Sequence, residues 1–333
     1  MVSRPRGVWL APLQEWRAAG TPSGMNGFPR SIPEVCDIEL VRGSAARPDA
    51  PVGALLEVAH GATRAADFDG LAAALRGPFP PGLREFFFVN TDVGAPELAS
   101  AVARAVAQAR PECVLAVVCC RVPRTFLDCN RRIARDTVAR ASAAGEMTPG
   151  LQPWVRDERD RELLLERYFA YREAVSSAFE AVRARGGATL FVHTYAPRSI
   201  DVAVDEHIAQ SLRAAYEPRR LESWPLRPEI DLITADPEGV ELAQPELAAR
   251  AAAEFTAAGF GVSRNTAYPL HPVTLAHELA AQRPASALCL EVRRDLLVRE
   301  FVPFVDLSTD AQRVERAAAP LARALAPFVA LGT

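Results

Sequence analysis

From Val52 onward, the sequence alternates short apolar runs with longer segments rich in Ala, Leu and Arg. Several of the runs lack polar residues at alternate positions, so strands formed from them would be apolar on both faces. Strands of this kind are usually covered by helices on both sides of a mostly parallel sheet. The pattern therefore predicts an α/β fold with a central mixed, largely parallel sheet between two layers of helices.

The individual elements follow from the same alternation. We expect strands at 36–41, 54–59, 85–90, 113–120, 188–193, 230–234 and 287–292. We expect helices at 67–75, 95–109, 157–185, 204–215, 245–258, 274–282 and 310–328, with Ser308 or Thr309 as cap of the last one. The scattered Pro, Gly and Ser of residues 1–50 predict an N-terminal extension or edge element. The alternating pattern predicts a single α/β domain over residues 51–333.

The basic residues of the chain exclude several kinds of chemistry. All 38 residues counted as Lys or Arg are Arg, so a Schiff-base lysine, a lysine general base and a P-loop lysine are unavailable. A formal net charge of −3 gives no general attraction to nucleic acid or anionic lipid, and no apolar run approaches the length of a membrane span. We therefore expect a small-molecule partner, and neither nucleic acid nor a membrane.

The cysteines indicate the compartment. The 6 cysteines form no C-x-x-C pair and lie mostly in apolar runs, which predicts buried free thiols. Adjacent Cys119 and Cys120 would point to opposite faces of one strand. Residues 1–13 lack the unbroken apolar core of a secretion signal. Together these features predict a cytoplasmic protein.

Polar residues at the ends of predicted strands are candidates for a functional site, because ligands of open α/β sheets bind beyond the carboxyl ends of the strands. His60 and His193 each end such a run, and the chain has only 5 histidines. Imidazoles on rigid strand ends suit a zinc site open to substrate, although hydrogen-bonded structural histidines fit the same pattern. Asp92 follows the run 85–90 and could be a third ligand or the N-cap of the next helix.

A lone carboxylate, Glu291, interrupts another apolar run. Its burial without a partner would be costly. Arg293 lies two residues on, and therefore on the same strand face, so the two could form a structural ion pair. Alternatively, Glu291 could face a metal site and take the proton of a bound water as general base.

Beyond the run 113–120, the segment RVPRTFLDCNRR contains Arg124, Asp128, Asn130 and Arg131. Guanidinium groups bind carboxylates through paired hydrogen bonds, and an Asn amide can donate beside them. The segment could therefore hold an acidic substrate or polarise a carbonyl group. Pairing of Asp128 with an arginine at the surface is the structural alternative.

Taken in order from 55 to 298, these motifs resemble those of the N-formylglutamate amidohydrolase family, whose fold is similar to that of zinc carboxypeptidases and aspartoacylases. V-A-H-G at 58–61 resembles the family's P-H-x-G, and N-T-D at 90–92 resembles its D-T-D. P-R-T-F-L-D-C-N-R at 123–131 resembles S-R-x-x-x-D-L-N-R and is the most specific match. V-H-T at 192–194 and L-E-V-R at 290–293 resemble its H-S and its late glutamate strand.

The resemblance implies a zinc-dependent amidohydrolase that cleaves an N-formyl or N-acyl amino acid bearing an acidic group. It implies that one zinc ion per chain, which lowers the pKa of the attacking water, is held by His60, Asp92 and His193. It also implies that Glu291 is the general base and that Arg124 helps to orient the substrate. The candidate substrate-binding residues are Asn130, Arg131, Arg198 and Arg293.

Two positions depart from the motifs of these relatives. Thr63 stands where zinc carboxypeptidases have the glutamate of H-x-x-E, and Phe191 stands where the family often has an aspartate that would orient the second histidine. A catalytically inactive ligand-binding or regulatory protein on the same fold is therefore the alternative function. A cysteine hydrolase based on Cys120 or Cys289 is a further alternative, although burial would raise the pKa of either thiol.

Overall fold

A computed structural model describes residues 27–331, so the prediction for residues 1–13 lies outside the described residues. Within this range, one mixed sheet has the strand order β1-β3-β2-β4-β7-β5-β6. Its strands are β1 Cys36–Arg42, β2 Ala54–Val58, β3 Val114–Cys120, β4 Thr189–Tyr195, β5 Ile230–Ile233, β6 Val262–Arg264 and β7 Ala287–Arg293. β3, β2, β4 and β7 are parallel, while β1 and β5 pair antiparallel with β3 and β7. The predicted largely parallel sheet is confirmed.

Helices cover both faces of this sheet. They are α1 Ala65–Ala74, α2 Leu83–Asn90, α3 Ala95–Ala109, α4 Glu158–Arg183, α5 Ile208–Ala215, α6 Pro218–Leu221, α7 Pro245–Ala257, α8 Leu275–Gln282 and α9 Ala311–Leu325. One hydrophobic cluster joins the sheet to α1, α2, α4, α5 and α8, and a second joins it to α3, α7 and α9. Among the described helices, none is both long enough and apolar enough to cross a membrane.

The strand interiors explain this double layer. Leu55 of β2 belongs to the first cluster and its neighbour Leu56 belongs to the second, because side chains alternate between the faces of a strand. Cys119 and Cys120 separate in the same way, as predicted. All six cysteines are free and buried, which confirms the prediction for the thiols.

Two local predictions were wrong. The run 85–90, predicted as a strand, forms most of helix α2, whose residues 86–89 are all buried. Because buried apolar side chains fill the whole turn at 86–89, this run lacks helical periodicity and cannot be told from a buried strand. The cap of α9 is Asp310, whose carboxylate accepts the amides of Gln312 and Arg313, and not Ser308 or Thr309.

The sheet brings the candidate residues to one end. His60 lies two residues beyond β2, while His193 and Glu291 lie side by side in β4 and β7. Asp92 follows α2 directly, and Arg124 lies in the loop after β3. The carboxyl ends of three parallel strands and the end of one buried helix therefore build the site.

Candidate active site

Two histidines and one aspartate converge at the carboxyl end of the sheet. His60 Nδ1 and His193 Nδ1 lie 3.2 Å and 3.1 Å from the same oxygen, Asp92 Oδ2. One ligand atom from each of the three residues lies within 4.8 Å of the others, and all three side chains are buried. This arrangement brings together the three predicted metal ligands.

The donor set fits a divalent metal ion. Ligands bonded at about 2.0–2.1 Å to a tetrahedral zinc ion are about 3.3 Å apart, close to the two spacings around Asp92 Oδ2. Asp92 does not cap a helix with its side chain, because the N-cap of α3 is Gly94 and the carboxylate faces the histidines. Burial opposes the ionisation of Asp92, but the two histidines hold its pKa well below the usual value.

The far side of the His60 ring is anchored by Asp128. His60 Nε2 lies 2.8 Å from Asp128 Oδ1, and the same oxygen accepts the backbone amide of Asn130. The other carboxylate oxygen pairs with Arg124 at 3.3 Å and Arg131 at 3.6 Å. Although burial favours its neutral form, the charges of Arg131, His60 and Arg124 hold the pKa of Asp128 well below the usual value. An ionised Asp128 orients His60 so that Nδ1 faces Asp92, another candidate ligand.

Asp92 is held from behind by an arginine that the sequence did not indicate. Arg294 is buried, and its guanidinium lies 3.3 Å from Asp92 Oδ1. It also donates to the carbonyl oxygens of Val89 and Thr194, at 2.6 Å and 3.1 Å. Arg294 therefore ties the end of α2 and the end of β4 to the same carboxylate.

Glu291 stands beside His193 on the neighbouring strand, in direct register. Its Oε2 atom is buried and has no hydrogen-bond partner among the described residues. Burial raises the pKa of Glu291 to about 7, although the charge of His193 opposes this shift. Arg293, the structural partner considered from sequence, pairs instead with Asp295 at 2.8 Å. Glu291 therefore combines a near-neutral pKa with an unpaired oxygen.

His193 has one partnered and one unpartnered ring nitrogen. Burial favours the neutral ring, but the hydrogen bond to Asp92 and the charges of Glu291, Asp92 and Glu57 raise the pKa of His193 to about 9. Its Nε2 atom is buried and has no partner among the described residues. The ring is thus held through Nδ1 alone.

A cavity of about 550 Å³ opens onto these side chains. The predicted site residues that line it are His60, Asp92, Arg124, Asn130, Arg131, His193, Arg198 and Glu291. Arg293 is not among the lining residues, whereas Arg227 and Arg294, which were not predicted, are. The cavity is large enough for a small organic substrate and presents several guanidinium groups near the candidate ligands.

The cysteines are poorly placed for nucleophilic catalysis. Cys289 lines the cavity, but burial raises the pKa of its thiol well above the usual value, so a thiolate is disfavoured. Cys120 is fully buried, and its sulfur is hydrogen-bonded to the backbone of Val122. The geometry thus favours the histidine and carboxylate cluster over a thiol.

Comparisons with known proteins identify the fold and the family of the chain. No curated protein sequence matches the chain. The fold is similar to that of a gene product from Agrobacterium tumefaciens, with a TM-score of 0.51 and 18% identity over 88% of this chain and 94% of that chain. It is also similar to an N-formylglutamate amidohydrolase from Ralstonia eutropha JMP134, with a TM-score of 0.50 and 17% identity over 88% and 98% of the two chains. The model of the family described as N-formylglutamate amidohydrolase matches residues 83–298, and the chain belongs to that family.

Proposed function

We propose that this protein is a metal-dependent amidohydrolase that cleaves the amide bond of an N-formyl or N-acyl amino acid with an acidic group, such as N-formylglutamate. One observation carries the proposal: His60, Asp92 and His193 direct ligand atoms at one point, beside the unpaired carboxylate of Glu291 on the wall of a cavity. Membership of the N-formylglutamate amidohydrolase family supports amide hydrolysis as the reaction.

The metal would be held through His60 Nδ1, His193 Nδ1 and Asp92 Oδ2. We infer zinc, one ion per chain, because two imidazoles and one carboxylate are a frequent ligand set of catalytic zinc sites. When bound, such an ion supplies polarisation of the substrate carbonyl and a lowered pKa of water. Asp128 and Arg294 support the ligands from behind, which reduces the reorganisation needed when the ion binds.

Glu291 is the proposed general base. A carboxylate with a pKa of about 7 is ionised in a large fraction of molecules at neutral pH and still returns a proton readily. It would take a proton from the attacking water as the new C–O bond forms. It would then deliver that proton to the amine nitrogen as the C–N bond breaks, so that the products are a carboxylate and a free amino acid.

The arginine-rich wall is the proposed binding surface for the acidic groups of the substrate. Arg124, Asn130, Arg131 and Arg198 line the cavity, and Arg124 and Arg131 pair with Asp128 beside His60. A guanidinium carries five N–H donors, so Arg124 can bind substrate oxygens while it remains paired with Asp128. Arg131 also donates to Thr148 and to the carbonyl oxygen of Asn130, so it would contribute mainly positive charge and its one remaining donor. Arg124, which also lies 3.7 Å from Asp92, is the proposed contact to the carbonyl oxygen.

The experiment is metal removal and reconstitution. The full chain is purified without chelators, its zinc content is measured, and hydrolysis of N-formylglutamate and N-acetylglutamate is followed by release of primary amine. We expect about one zinc per chain, loss of turnover after chelation, and recovery on addition of zinc. Substrate binding without turnover under any metal would instead identify a ligand-binding protein on the same fold. Absence of zinc binding would reject the metal site.

We also propose that the protein works in a reducing compartment such as the cytoplasm. All six cysteines are buried as free thiols, a usage typical of proteins that are not exposed to oxidising conditions. Counting thiols in the denatured protein purified from its native host tests this, with six expected and fewer contradicting it.

A further inference from the structure

His193 carries a polar atom that the proposed reaction does not use. Its Nε2 is buried without a partner among the described residues, whereas the equivalent atom of His60 is anchored by Asp128. Buried polar atoms in proteins nearly always have a partner. Histidines that bind metals almost always donate their second ring N–H to a carboxylate, a carbonyl or water. We therefore expect a hydrogen-bond acceptor for Nε2 of His193 on an element close to β4.

A buried carboxylate lies on the strand next to β4. Glu57 of β2 is 2% exposed and sits in register with Phe191, two residues before His193. Because side chains alternate along a strand, Phe191 and His193 face the same side of the sheet. A diagonal neighbour on one sheet face is roughly 7–8 Å away, which a glutamate side chain can span.

Electrostatic coupling supports this placement. Burial raises the pKa of Glu57, and the charge of His193 is the strongest influence that opposes the shift. The hydroxyl of Tyr171, on α4, donates a hydrogen bond to Glu57 Oε1. Glu57 is thus a carboxyl group buried in the sheet that interacts electrostatically with the imidazole ring of His193.

Glu57 cannot touch the substrate directly. It is absent from the residues that line the cavity, whereas Glu291 is among them. β4 lies between β2 and β7, so His193 has one carboxylate on each neighbouring strand. Glu291 lines the cavity and Glu57 does not, so Glu291 suits the role of base and Glu57 suits a role exerted through the imidazole ring of His193.

We propose that Glu57 is a positioning residue, whose carboxylate accepts a hydrogen bond from His193 Nε2–H and thereby presents the lone pair of Nδ1 to the metal. A bridging water or a small rotation of the glutamate side chain completes the contact. Glu57, on the strand next to β4, thus does for His193 what Asp128, in the loop after β3, does for His60. The inference rests on the proposed metal site.

The test is the zinc affinity of Glu57→Gln in the full chain. The substituted side chain keeps the shape of glutamate and an oxygen for Tyr171, but it lacks the carboxylate charge. We expect zinc, measured by competition with a chromophoric chelator on the metal-free protein, to bind about 10–100-fold more weakly. The thermal midpoint of the metal-free variant stays near that of the parent, while the rise produced by zinc becomes smaller.

Two matched variants separate the possible causes. Glu291→Gln makes the same chemical change on the other side of His193 and should leave zinc affinity within a few fold. Tyr171→Phe removes the other described contact of Glu57 but keeps its carboxylate, and zinc affinity should again change little. A loss in Tyr171→Phe equal to that in Glu57→Gln would assign the effect to packing against α4 and overturn the proposal.

A spectroscopic readout isolates the hydrogen bond itself. In the zinc-loaded protein labelled with ¹⁵N-histidine, we expect His193 to carry its proton on Nε2 and that proton to exchange slowly with water. Glu57→Gln should make the exchange fast. Unchanged exchange together with unchanged zinc affinity would overturn the inference while the parent still binds zinc and hydrolyses substrate. A parent that binds no zinc would instead reject the proposed function.

Discussion

The two histidines of the site stand in contrasting surroundings. On the β2–β3 side, both ring nitrogens of His60 are partnered, and Asp128 behind it is bound by two arginines and a backbone amide. On the β4–β7 side, His193 Nε2 and Glu291 Oε2 are buried without partners among the described residues. One wall of the site is saturated with hydrogen bonds, and the other carries an unpaired donor and an unpaired acceptor.

This difference indicates that one wall serves binding and the other serves proton transfer. A saturated polar network fixes its side chains and costs little further reorganisation, so the His60 wall suits the task of holding ligands and substrate charge in place. A carboxylate oxygen without a partner is free to accept a proton, so the His193 wall suits proton transfer. The contrast predicts that substitutions on the first wall weaken binding, whereas substitutions of Glu291 on the second remove turnover.

The largest expected effect is that of Glu291→Gln. The amide cannot accept a proton, so kcat should fall by about 10²–10⁴-fold. Zinc affinity should stay within a few fold of the parent because Glu291 is not one of the proposed ligands. Steady-state kinetics and zinc competition on the same preparation check both parts. A variant that keeps its turnover would remove Glu291 from the role of base.

Asp128→Asn tests the saturated wall. The amide cannot neutralise Arg124 and Arg131 or hold His60 as strongly, so zinc affinity should fall by about 10–100-fold. Leaving the arginine charges uncompensated should also lower the free energy of unfolding by about 3–5 kcal/mol. Zinc competition and urea unfolding of the metal-free protein measure the two effects.

A matched control for Asp128→Asn lies on β5, in register with Glu291 and not beside a proposed metal ligand. Asp231→Asn changes another fully buried aspartate, whose carboxylate accepts the backbone amides of Thr266 and Ala267. It should reduce stability without changing zinc affinity. If both variants lose the same zinc affinity, the loss reports general destabilisation and the proposed role of Asp128 is wrong.

Much of the architecture could be predicted because strand interiors are read directly from the sequence. Runs such as 113–120 are apolar at every position and rich in Val, which favours a strand covered on both faces over a buried helix. The strand ends then placed His60, His193 and Glu291 at one edge of the sheet. Asp92 reached the same place although its preceding element was predicted incorrectly, because a helix or a strand can end at the same edge.

The rest of the site depends on contacts between residues that are far apart in sequence. β7 ends at Arg293, and a short 3₁₀ turn begins at Arg294. The alternation of side chains between strand faces, which predicted Arg293 as the neighbour of Glu291, therefore stops at this point, and Arg294 points into the site. Glu57 stands inside an apolar run, and its partner Tyr171 lies on a helix far along the chain. A polar residue in a buried strand was the signal for Glu291, and the same signal could have identified Glu57.

The pH dependence tests the near-neutral pKa on the unsaturated wall. Burial raises the pKa of Glu291 to about 7, and the ionised form is the one that accepts a proton. kcat/KM should therefore fall as the pH drops below the pKa, by about tenfold for each pH unit. A bound cation favours the carboxylate, so the acidic limb should lie between pH 5 and pH 7. A flat profile between pH 5 and pH 8 would contradict this assignment.

Arg131→Lys should produce the smallest effect, on substrate binding alone. The lysine keeps the positive charge beside Asp128 but loses the paired hydrogen bonds to Thr148 that fix the position of that charge, so KM should rise by roughly 3–10-fold with little change in kcat. Arg293→Lys is the comparison, because Arg293 pairs with Asp295 outside the cavity lining, and its KM should stay near that of the parent. Kinetics with N-formylglutamate measure both variants. If KM rises more in Arg293→Lys than in Arg131→Lys, Arg293 binds substrate after all and substrate recognition lies on the β7 side of the site.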